Sequence, residues 1–356
     1  LKPLWLGPLR PTRVFGSAAG AALAMGNSLP ASAEGRAAVI TGGAMGIGLA
    51  AAKRCASLRM RVVIADVSEA AGRAAEELVR RLHPEATVRF VSCDVTSAEA
   101  VRALHQVVYD DMGGDVGFLF CNAGMSRDES FTAWRAPLST WERVFDVNVF
   151  GIVRCLQRFV PSLVAERREC VVCTTSSYAG LINASPGAAG GDPGGVSYAA
   201  SKHAVTVLTE SLAHEMRTTQ PQVSVSCLFP AIVSSSFMDN AMKAAVDAVP
   251  DAADRAKKAQ DLAAHPIHGT WAPSGLTPDE LVEQVLYPGI AAGTFYIRAF
   301  DRASSFDLLG EVVSQRARDI VEQRPAISLA HPDRDASGPA RLALREVRRR
   351  GPAPRL

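Results

Sequence analysis

From residue 37 onward, short runs of β-branched and other apolar residues alternate with longer segments rich in Ala, Leu and charged residues. The short runs are apolar at successive positions, so both faces of each predicted strand should be covered. Strands that are covered on both faces and separated by helices build a parallel sheet. With right-handed crossovers, the pattern predicts a single α/β domain with a doubly wound, mainly parallel sheet and helices on both faces.

Turn and capping residues between these segments set the predicted boundaries. We predict strands over residues 37–41, 62–66, 87–93, 116–121, 170–175, 223–229 and 293–300. Helices are predicted over residues 45–58, 68–82, 97–111, 139–165 and 197–218, and a further helix should begin at 277. Ser68 and Thr277 are of the type that accepts hydrogen bonds from the first amides of a helix.

One domain over residues 36–326 accounts for all of these elements. Within it, residues 180–196 are rich in Gly, Ala and Pro and predict a loop, while residues 237–273 predict a lid over the substrate. Residues 1–35 are interpreted as a disordered extension or a targeting segment, because a small apolar run follows their basic residues. Residues 327–356 carry seven Arg against three acidic residues and predict a basic, disordered tail.

Composition and charge narrow the partners. The chain is 48% apolar and 21% charged, with a net charge of +2, which is ordinary for a globular protein. The positive excess lies in the tail, so we expect no nucleic-acid partner. Apart from the first residues, no stretch approaches the roughly 18 continuous apolar residues of a membrane span, and none is predicted.

The seven cysteines are scattered through apolar stretches and are odd in number. They predict buried free thiols in a reducing compartment, and hence a cytoplasmic protein. Cys170 and Cys173 have the spacing of a redox motif, but residues three apart on a strand face opposite sides. The seven histidines show no metal-ligand spacing, so no metal is predicted.

A glycine-rich turn over residues 41–48 joins the first strand to the first helix. Gly42, Gly46 and Gly48 would let the backbone approach a pyrophosphate, whose charge the amides at the helix N-terminus can hold. A tight turn that only packs helix on strand would explain the glycines equally well. Asp66 adds weight to the first interpretation, because it ends the second strand about 20 residues further on. This combination predicts a dinucleotide site on a Rossmann-type sheet.

Asp66 also bears on which dinucleotide is bound. A carboxylate at this position accepts hydrogen bonds from the adenosine ribose and repels a 2′-phosphate. Neither the glycine-rich turn nor the residues directly after Asp66 include Arg or Lys. We therefore predict that NAD is preferred and NADP disfavoured. The alternative is that Asp66 merely caps the following helix.

Small or polar residues also follow three other predicted strands. These are Asp94-Val95, Asn122-Ala123-Gly124 and Thr175-Ser176-Ser177. Ligands of such sheets bind outside the carboxyl ends of the strands, so the three segments are expected to line one cleft. Taken singly, each could be turn chemistry.

Tyr198 and Lys202 stand four residues apart, in the helix predicted after the Gly- and Pro-rich loop. That spacing puts both side chains on one helix face. An adjacent ammonium stabilises a phenolate and lowers the phenol pKa from about 10 toward working pH, where proton transfer is most effective. A Tyr and a Lys four residues apart on a helix are usually a surface pair. This pair follows the fifth predicted strand of a chain that also has a dinucleotide turn, and that position favours a catalytic role.

In order and type, these segments resemble the motifs of the short-chain dehydrogenase/reductase family over residues 36–233, with Asn148 in Val-Asn-Val as one more match. The resemblance implies hydride transfer between a nicotinamide cofactor and a secondary alcohol or ketone. It implies that Tyr198 is the general acid/base, and that Lys202 lowers its pKa and binds the nicotinamide ribose. By the same resemblance Ser177 polarises the substrate oxygen, and Asn148 holds a water of the proton relay.

The resemblance further implies a set of residues that contact or support the cofactor: Gly42, Gly46, Ile47, Gly48, Asp66, Asp94, Val95, Asn122, Ala123, Gly124, Tyr198, Lys202 and Val233. It also implies a homo-oligomer, dimer or tetramer. The apolar content of the predicted lid favours a bulky, mostly apolar alcohol or ketone as substrate.

Three departures from the family pattern mark this chain. Cys121 stands where the family usually has the first Asn of Asn-Asn-Ala-Gly, and Pro230-Ala231 replaces Pro-Gly. The gap between Ser177 and Tyr198 is wider than usual, which leaves Ser176 as a competing candidate. Two other functions stay open: a catalytically silent relative that binds dinucleotide as a redox sensor, and a methyltransferase, which also uses a glycine-rich turn.

Overall fold

The computed structural model describes residues 33–126, 136–182, 195–231, 233–234 and 275–299, with 256, 257, 260, 313, 314, 316–318 and 320–322. Residues 1–32, almost all of the predicted lid, most of the predicted loop and the whole predicted tail lie outside the described residues.

Seven strands form one sheet, and every pairing in it is parallel. They are β1 (Ala37–Thr41), β2 (Arg61–Asp66), β3 (Val88–Ser92), β4 (Val116–Cys121), β5 (Cys170–Thr175), β6 (Val223–Pro230) and β7 (Tyr296–Ala299). The order across the sheet is β3-β2-β1-β4-β5-β6-β7. The predicted doubly wound parallel sheet is confirmed. The strand order reverses between β1 and β4, which opens a crevice at their carboxyl ends.

The described helices are α1 (Gly46–Ser57), α2 (Glu69–Leu82), α3 (Ala98–Gln106), α4 (Leu138–Phe145), α5 (Gly151–Glu166), α6 (Gly195–Thr219), α7 (Pro278–Leu281) and α8 (Tyr287–Ala291). The predicted caps are confirmed, since Ser68 accepts a hydrogen bond from the Ala71 amide and Thr277 forms a reciprocal capping box with Glu280. The helix predicted over residues 139–165 is a continuous helical run, in which a π-helical turn at Asp146–Phe150 joins α4 to α5. Such turns are frequent at functional sites.

Successive strand residues face opposite sides of the sheet, and both sides are buried. Ile40 of β1 packs toward α1 and α2, whereas Val39 packs toward α3, α5 and α6. Cys170 and Cys173 lie on opposite sides as predicted, and all seven cysteines are buried free thiols.

Residues 33–35, just before β1, contact the rest of the domain. Ala33 is only 5% exposed and belongs to the core, and the Gly35 amide donates to the Arg59 carbonyl at 3.0 Å. Glu34 forms an ion pair with Arg59 at 3.1 Å. These contacts hold residues 33–35 against the domain, and they carry no periodic signal in the sequence.

Among the described residues, one continuous helical run, Leu138–Glu166, is long and apolar enough to cross a membrane by length and composition. Core helices of globular proteins pass the same test. Here Phe159 and Leu163 of that run are buried against the sheet.

Candidate active site

The glycines of the turn meet conformational and packing demands that other residues do not meet. Gly42 and Gly46 have φ of +62° and +55°, a conformation that glycine adopts without strain. A Cβ on Gly48 would lie 2.1 Å from the Gly42 carbonyl oxygen. Helix α1 begins without a side-chain cap and without an acidic residue in its first turn. Its N-terminus is therefore suited to a bound anion such as a pyrophosphate.

Asp66 ends β2 and braces this turn. Its Oδ2 accepts a hydrogen bond from the Ala44 amide at 3.1 Å, and its Oδ1 accepts one from the Ser68 amide at 3.0 Å. Helix α2 is capped by the Ser68 hydroxyl instead. The alternative interpretation of Asp66 as the helix cap is therefore wrong, and the half-buried carboxylate lies beside the backbone of the turn.

Asn122 ties the ends of three strands together. Its Nδ2 donates to the carbonyl oxygens of Thr41 and Gly42 at 3.3 and 3.2 Å, and its Oδ1 accepts from the Thr175 hydroxyl at 3.0 Å. Cys121, the departure from the family pattern, is buried in the core beneath this point. The substitution therefore leaves the supporting amide of Asn122 in place.

Asp94 and Val95 lie at the same edge of the sheet, after β3. Asp94 Oδ1 accepts from the amide and the hydroxyl of Thr96 at 2.9 and 2.8 Å. Burial raises the pKa of Asp94, but these hydrogen bonds, with help from Arg143, hold the pKa below its usual value. Val95 packs so closely on Gly151 that a Cβ there would lie 2.8 Å from a Val95 methyl group.

Lys202 lies deep in α6 beside Tyr198. The Lys202 side chain is 3% exposed, and its Nζ donates to the Thr175 carbonyl oxygen at 2.8 Å. The same Nζ lies 5.5 Å from the centre of the Tyr198 ring. Burial lowers the pKa of Lys202 to about 8. The predicted pair therefore lies at the end of β5 with the ammonium next to the phenol.

Asn148 is fully buried in the π-helical turn between α4 and α5. Its Oδ1 accepts from the Met125 amide at 2.8 Å, while its Nδ2 donates to the Met125 carbonyl at 2.9 Å and to Ser201 Oγ at 3.0 Å. Ser201 in turn donates to the Tyr198 carbonyl at 2.7 Å. Both side-chain amide hydrogens of Asn148 are used. A relay water there would therefore have to donate to Oδ1 or to the backbone carbonyl oxygen of Asn148.

Gly124 closes the group of residues around Lys202. A Cβ on Gly124 would lie 3.4 Å from both Asn148 Oδ1 and Lys202 Nζ. Asn148 and Lys202, which are distant in sequence, thus face one another across a single glycine.

The two candidate serines after β5 differ in their partners. Ser176 Oγ donates to the Lys202 carbonyl at 2.9 Å and hydrogen-bonds with Thr206 Oγ1 at 3.0 Å. Ser177 instead begins a 3₁₀ turn, Tyr178–Gly180, where its Oγ accepts from the Ala179 amide at 3.2 Å. Ser176 is thus committed to helix α6, which favours Ser177 as the serine that meets a substrate.

Two further predicted cofactor residues are Ile47 and Val233. Ile47 is partly buried against the core, and Val233 forms a single parallel bridge with Leu276.

Sequence reasoning missed Ser201 and Thr206. A polar residue on the buried face of an otherwise well-packed helix is the signal that could have found them. In the described part of the chain, no three His, Cys, Asp or Glu side chains come together as a metal site.

Comparison with known proteins identifies the family. The family model for short chain dehydrogenase matches residues 36–246, more than half of the chain. The chain belongs to the short-chain dehydrogenase/reductase family.

Two of the similar curated proteins are named as dehydrogenases. The 1-deoxy-11-beta-hydroxypentalenate dehydrogenase of Streptomyces exfoliatus is 36% identical over 193 residues, which are 54% of this chain and 66% of that protein. Fluoren-9-ol dehydrogenase of a Terrabacter species is 32% identical over 218 residues, 59% of each chain. The chain thus spans slightly under two thirds of the length of these relatives.

One solved structure is similar to this chain over more residues than these relatives are. A short-chain dehydrogenase/reductase from Burkholderia phymatum in complex with NAD has a TM-score of 0.69 and 29% identity, covering 83% of this chain and 98% of that one. The family model describes short chain dehydrogenases, and this solved relative is a short-chain dehydrogenase/reductase in complex with NAD. The family match gives no support to the methyltransferase alternative, and the relatives give none to the silent redox sensor.

Proposed function

We propose that the protein transfers a hydride between NAD and a bulky, mostly apolar secondary alcohol or ketone, with Tyr198 as general acid/base. One observation carries the proposal: the buried ammonium of Lys202 lies 5.5 Å from the Tyr198 ring, at the carboxyl edge of the sheet that also carries the glycine-rich turn. An acid/base pair and a dinucleotide turn at one sheet edge are the parts that alcohol oxidation requires.

The described residues fit a dinucleotide. The position beside the Gly42 carbonyl, which a Cβ on Gly48 would fill, allows close backbone approach, and the uncapped N-terminus of α1 suits the pyrophosphate. Asp66 would hold the adenosine ribose, and Asp94 with Val95 would flank the adenine. When bound, the nicotinamide supplies the hydride acceptor for oxidation or the hydride donor for reduction.

In the direction of oxidation, the Tyr198 phenolate takes the proton of the substrate hydroxyl as the carbinol carbon loses its hydride. Lys202 stabilises the phenolate, because its buried positive charge lies next to the ring. Ser177 donates a hydrogen bond to the substrate oxygen and so orients it. Reduction of a ketone uses the same groups in reverse, with Tyr198 as the acid.

NAD is proposed over NADP because of Asp66. Both carboxylate oxygens already accept amide hydrogen bonds from the backbone around the turn, which fixes the charge at the ribose end of the site. A 2′-phosphate there would meet a fixed negative charge.

The names of two relatives support the proposed substrate class. Those described above are named for hydroxypentalenate and for fluoren-9-ol, which is a secondary alcohol on a fused ring system. Their names support the bulky, apolar substrate that the sequence predicts.

We also propose a cytoplasmic location and a homo-oligomeric state. The seven buried free thiols support the cytoplasmic location.

Turnover of a small alcohol panel tests the proposal. With NAD⁺, fluoren-9-ol and other polycyclic secondary alcohols should be oxidised with higher kcat/KM than propan-2-ol. Tyr198→Phe should lower turnover by about 10²–10⁴-fold and leave NADH affinity unchanged, since only the proton transfer is removed. Turnover by Tyr198→Phe at the wild-type rate would refute the assignment. NADH binding by the wild-type protein without turnover of any alcohol or ketone would instead favour the redox sensor.

A further inference from the structure

The Thr206 hydroxyl is buried one helical turn beyond Lys202, at the junction of three segments. Its Oγ1 lies 3.0 Å from the Lys202 carbonyl oxygen, 3.2 Å from the Gly180 carbonyl oxygen and 3.0 Å from Ser176 Oγ. These partners belong to helix α6, to the 3₁₀ turn after β5, and to the end of β5 itself. A single side chain therefore connects the helix of the Tyr–Lys pair to the turn that begins at Ser177.

The hydrogen positions of the Ser176 and Thr206 hydroxyls can be assigned from their partners. Ser176 Oγ donates to the Lys202 carbonyl at 2.9 Å. Each hydroxyl has one hydrogen, so Thr206 satisfies a second buried acceptor only by donating to the Gly180 carbonyl. With this assignment both buried carbonyls have a hydroxyl donor.

The turn and the helix are in direct contact at this point. A Cβ on Gly180 would lie 2.3 Å from Ser176 Oγ and 2.6 Å from the Lys202 carbonyl oxygen. Any loosening of the bond from Thr206 to Gly180 therefore moves the 3₁₀ turn relative to Lys202. Because Ser177 is the first residue before that turn, its hydroxyl moves with it.

We propose that Thr206 is a positioning residue that holds the Ser177 hydroxyl in register with Tyr198 and Lys202. This inference rests on the proposed function, since it assumes that Ser177 orients the substrate oxygen. Thr206 itself touches neither substrate nor cofactor in this proposal; it acts through Gly180.

Thr209 provides a matched control one turn further along α6. It is also buried, its Oγ1 donates to the Val205 carbonyl at 2.7 Å, and it hydrogen-bonds with Thr174 Oγ1 at 2.8 Å. Like Thr206, it lies within hydrogen-bond distance of a carbonyl oxygen of its own helix and of a hydroxyl near the carboxyl end of β5. Unlike Thr206, it has no bond to the turn that follows Ser177. A purely structural role of a buried threonine hydroxyl should therefore affect both positions alike.

The kinetic test compares Thr206→Val, Thr206→Ser and Thr209→Val. Thr206→Val should lower kcat by about 10–10²-fold, the loss expected from a small misplacement of a reacting group. The KM for NAD⁺ should stay at its wild-type value, and Thr206→Ser should restore kcat. Thr209→Val should lower thermal stability to a similar extent but keep kcat near the wild-type value. Wild-type kcat in Thr206→Val, no rescue by Ser, or an equal loss in Thr209→Val would each overturn the proposal.

Hydrogen exchange separates this proposal from the proposed function. In the wild-type protein the Gly180 amide donates to the Ser177 carbonyl at 2.8 Å and the Leu181 amide to the Tyr178 carbonyl at 2.9 Å. Thr206→Val should speed exchange of these two amides and Thr209→Val should not, whether or not the enzyme turns over any alcohol. Unchanged exchange in Thr206→Val would refute the positioning role alone. If Thr206→Val does not fold, Thr206→Ala carries the same two measurements.

Discussion

The Nζ of Lys202 donates a hydrogen bond to the Thr175 carbonyl oxygen at 2.8 Å, and this bond anchors the ammonium at the end of β5. The carbonyl is neutral, so it compensates only part of the desolvation of the charge. Burial accordingly lowers the pKa of Lys202 to about 8, an effect that the nearby Cys227 thiol opposes. The protein keeps a positive charge beside Tyr198 at the expense of some stability.

We expect the cost of burying this charge to make the free energy of unfolding depend on pH. The pKa of Lys202 is about 8 in the folded protein and 10.5 in its ordinary state. Between these values the folded state has released the proton and the unfolded state still binds it, so the free energy of unfolding gains a favourable contribution as pH rises. That contribution is lost as pH falls through 8. Lys202→Met lacks this contribution. Between pH 8 and 10.5, the free energy of unfolding of the wild-type protein should therefore rise by about 1–3 kcal/mol relative to that of the variant.

Urea denaturation of both proteins without cofactor, at pH values from 7 to 11, measures this difference. Other groups titrate in the same range, but they are common to both proteins and cancel in the comparison. A difference between wild type and Lys202→Met that does not change with pH would mean that the buried ammonium is not destabilised.

The strand pattern predicted the sheet to within one or two residues for most strands, because polar residues, Gly or Pro flank the apolar runs. The glycine-rich turn, Asp66 and the Tyr198–Lys202 pair were found from local spacing. The π-helical turn at Asp146–Phe150 could not be predicted, since its residues continue the helical pattern on either side. Ser201 and Thr206 were missed because their role depends on partners brought together only by tertiary packing.

Asp66→Asn should narrow the preference for NAD over NADP. The amide keeps one oxygen that can accept from the Ala44 or the Ser68 backbone, so the turn stays braced, but the charge that repels a 2′-phosphate is removed. The change should appear chiefly in the KM for NADP⁺, since the adenosine end affects binding rather than hydride transfer. The ratio of kcat/KM for the two cofactors is the measurement.

A matched substitution checks that the effect belongs to the charge at this position. Glu69 lies three residues after Asp66 in the chain, and in the structure it pairs with Arg73 on the exposed side of α2. Glu69→Gln should leave the cofactor ratio nearly unchanged. If unmodified protein already favours NADP⁺, or if Glu69→Gln shifts the ratio as much as Asp66→Asn, the interpretation of Asp66 is wrong.

Two truncations test where the domain begins. Removal of residues 1–35 deletes the buried Ala33, the ion pair of Glu34 with Arg59 and the hydrogen bond from the Gly35 amide. Together these contacts should contribute about 1–2 kcal/mol to the free energy of unfolding. Removal of residues 1–32 keeps them all and serves as the control. Equal stability of the two truncated proteins in urea would show that residues 33–35 add nothing to the fold.

Alanine at two glycines should separate folding from cofactor binding. In Gly48→Ala the new Cβ would lie 2.1 Å from the Gly42 carbonyl oxygen, which is backbone and cannot rotate away. Helix α1 must then shift off the turn, so we expect a loss of about 1–3 kcal/mol of stability and of NADH binding.

In Gly124→Ala the nearest atoms, Asn148 Oδ1 and Lys202 Nζ, lie 3.4 Å from the new methyl group, which is ordinary contact distance. This variant should therefore unfold near the wild-type urea concentration. The methyl group would nevertheless stand between the amide and the ammonium, where the described site has only a hydrogen, and should weaken NADH binding and turnover. Urea denaturation and NADH fluorescence titration of both variants distinguish the two effects. A Gly124→Ala protein as active as wild type would mean that the space between Asn148 and Lys202 is not used by cofactor or substrate.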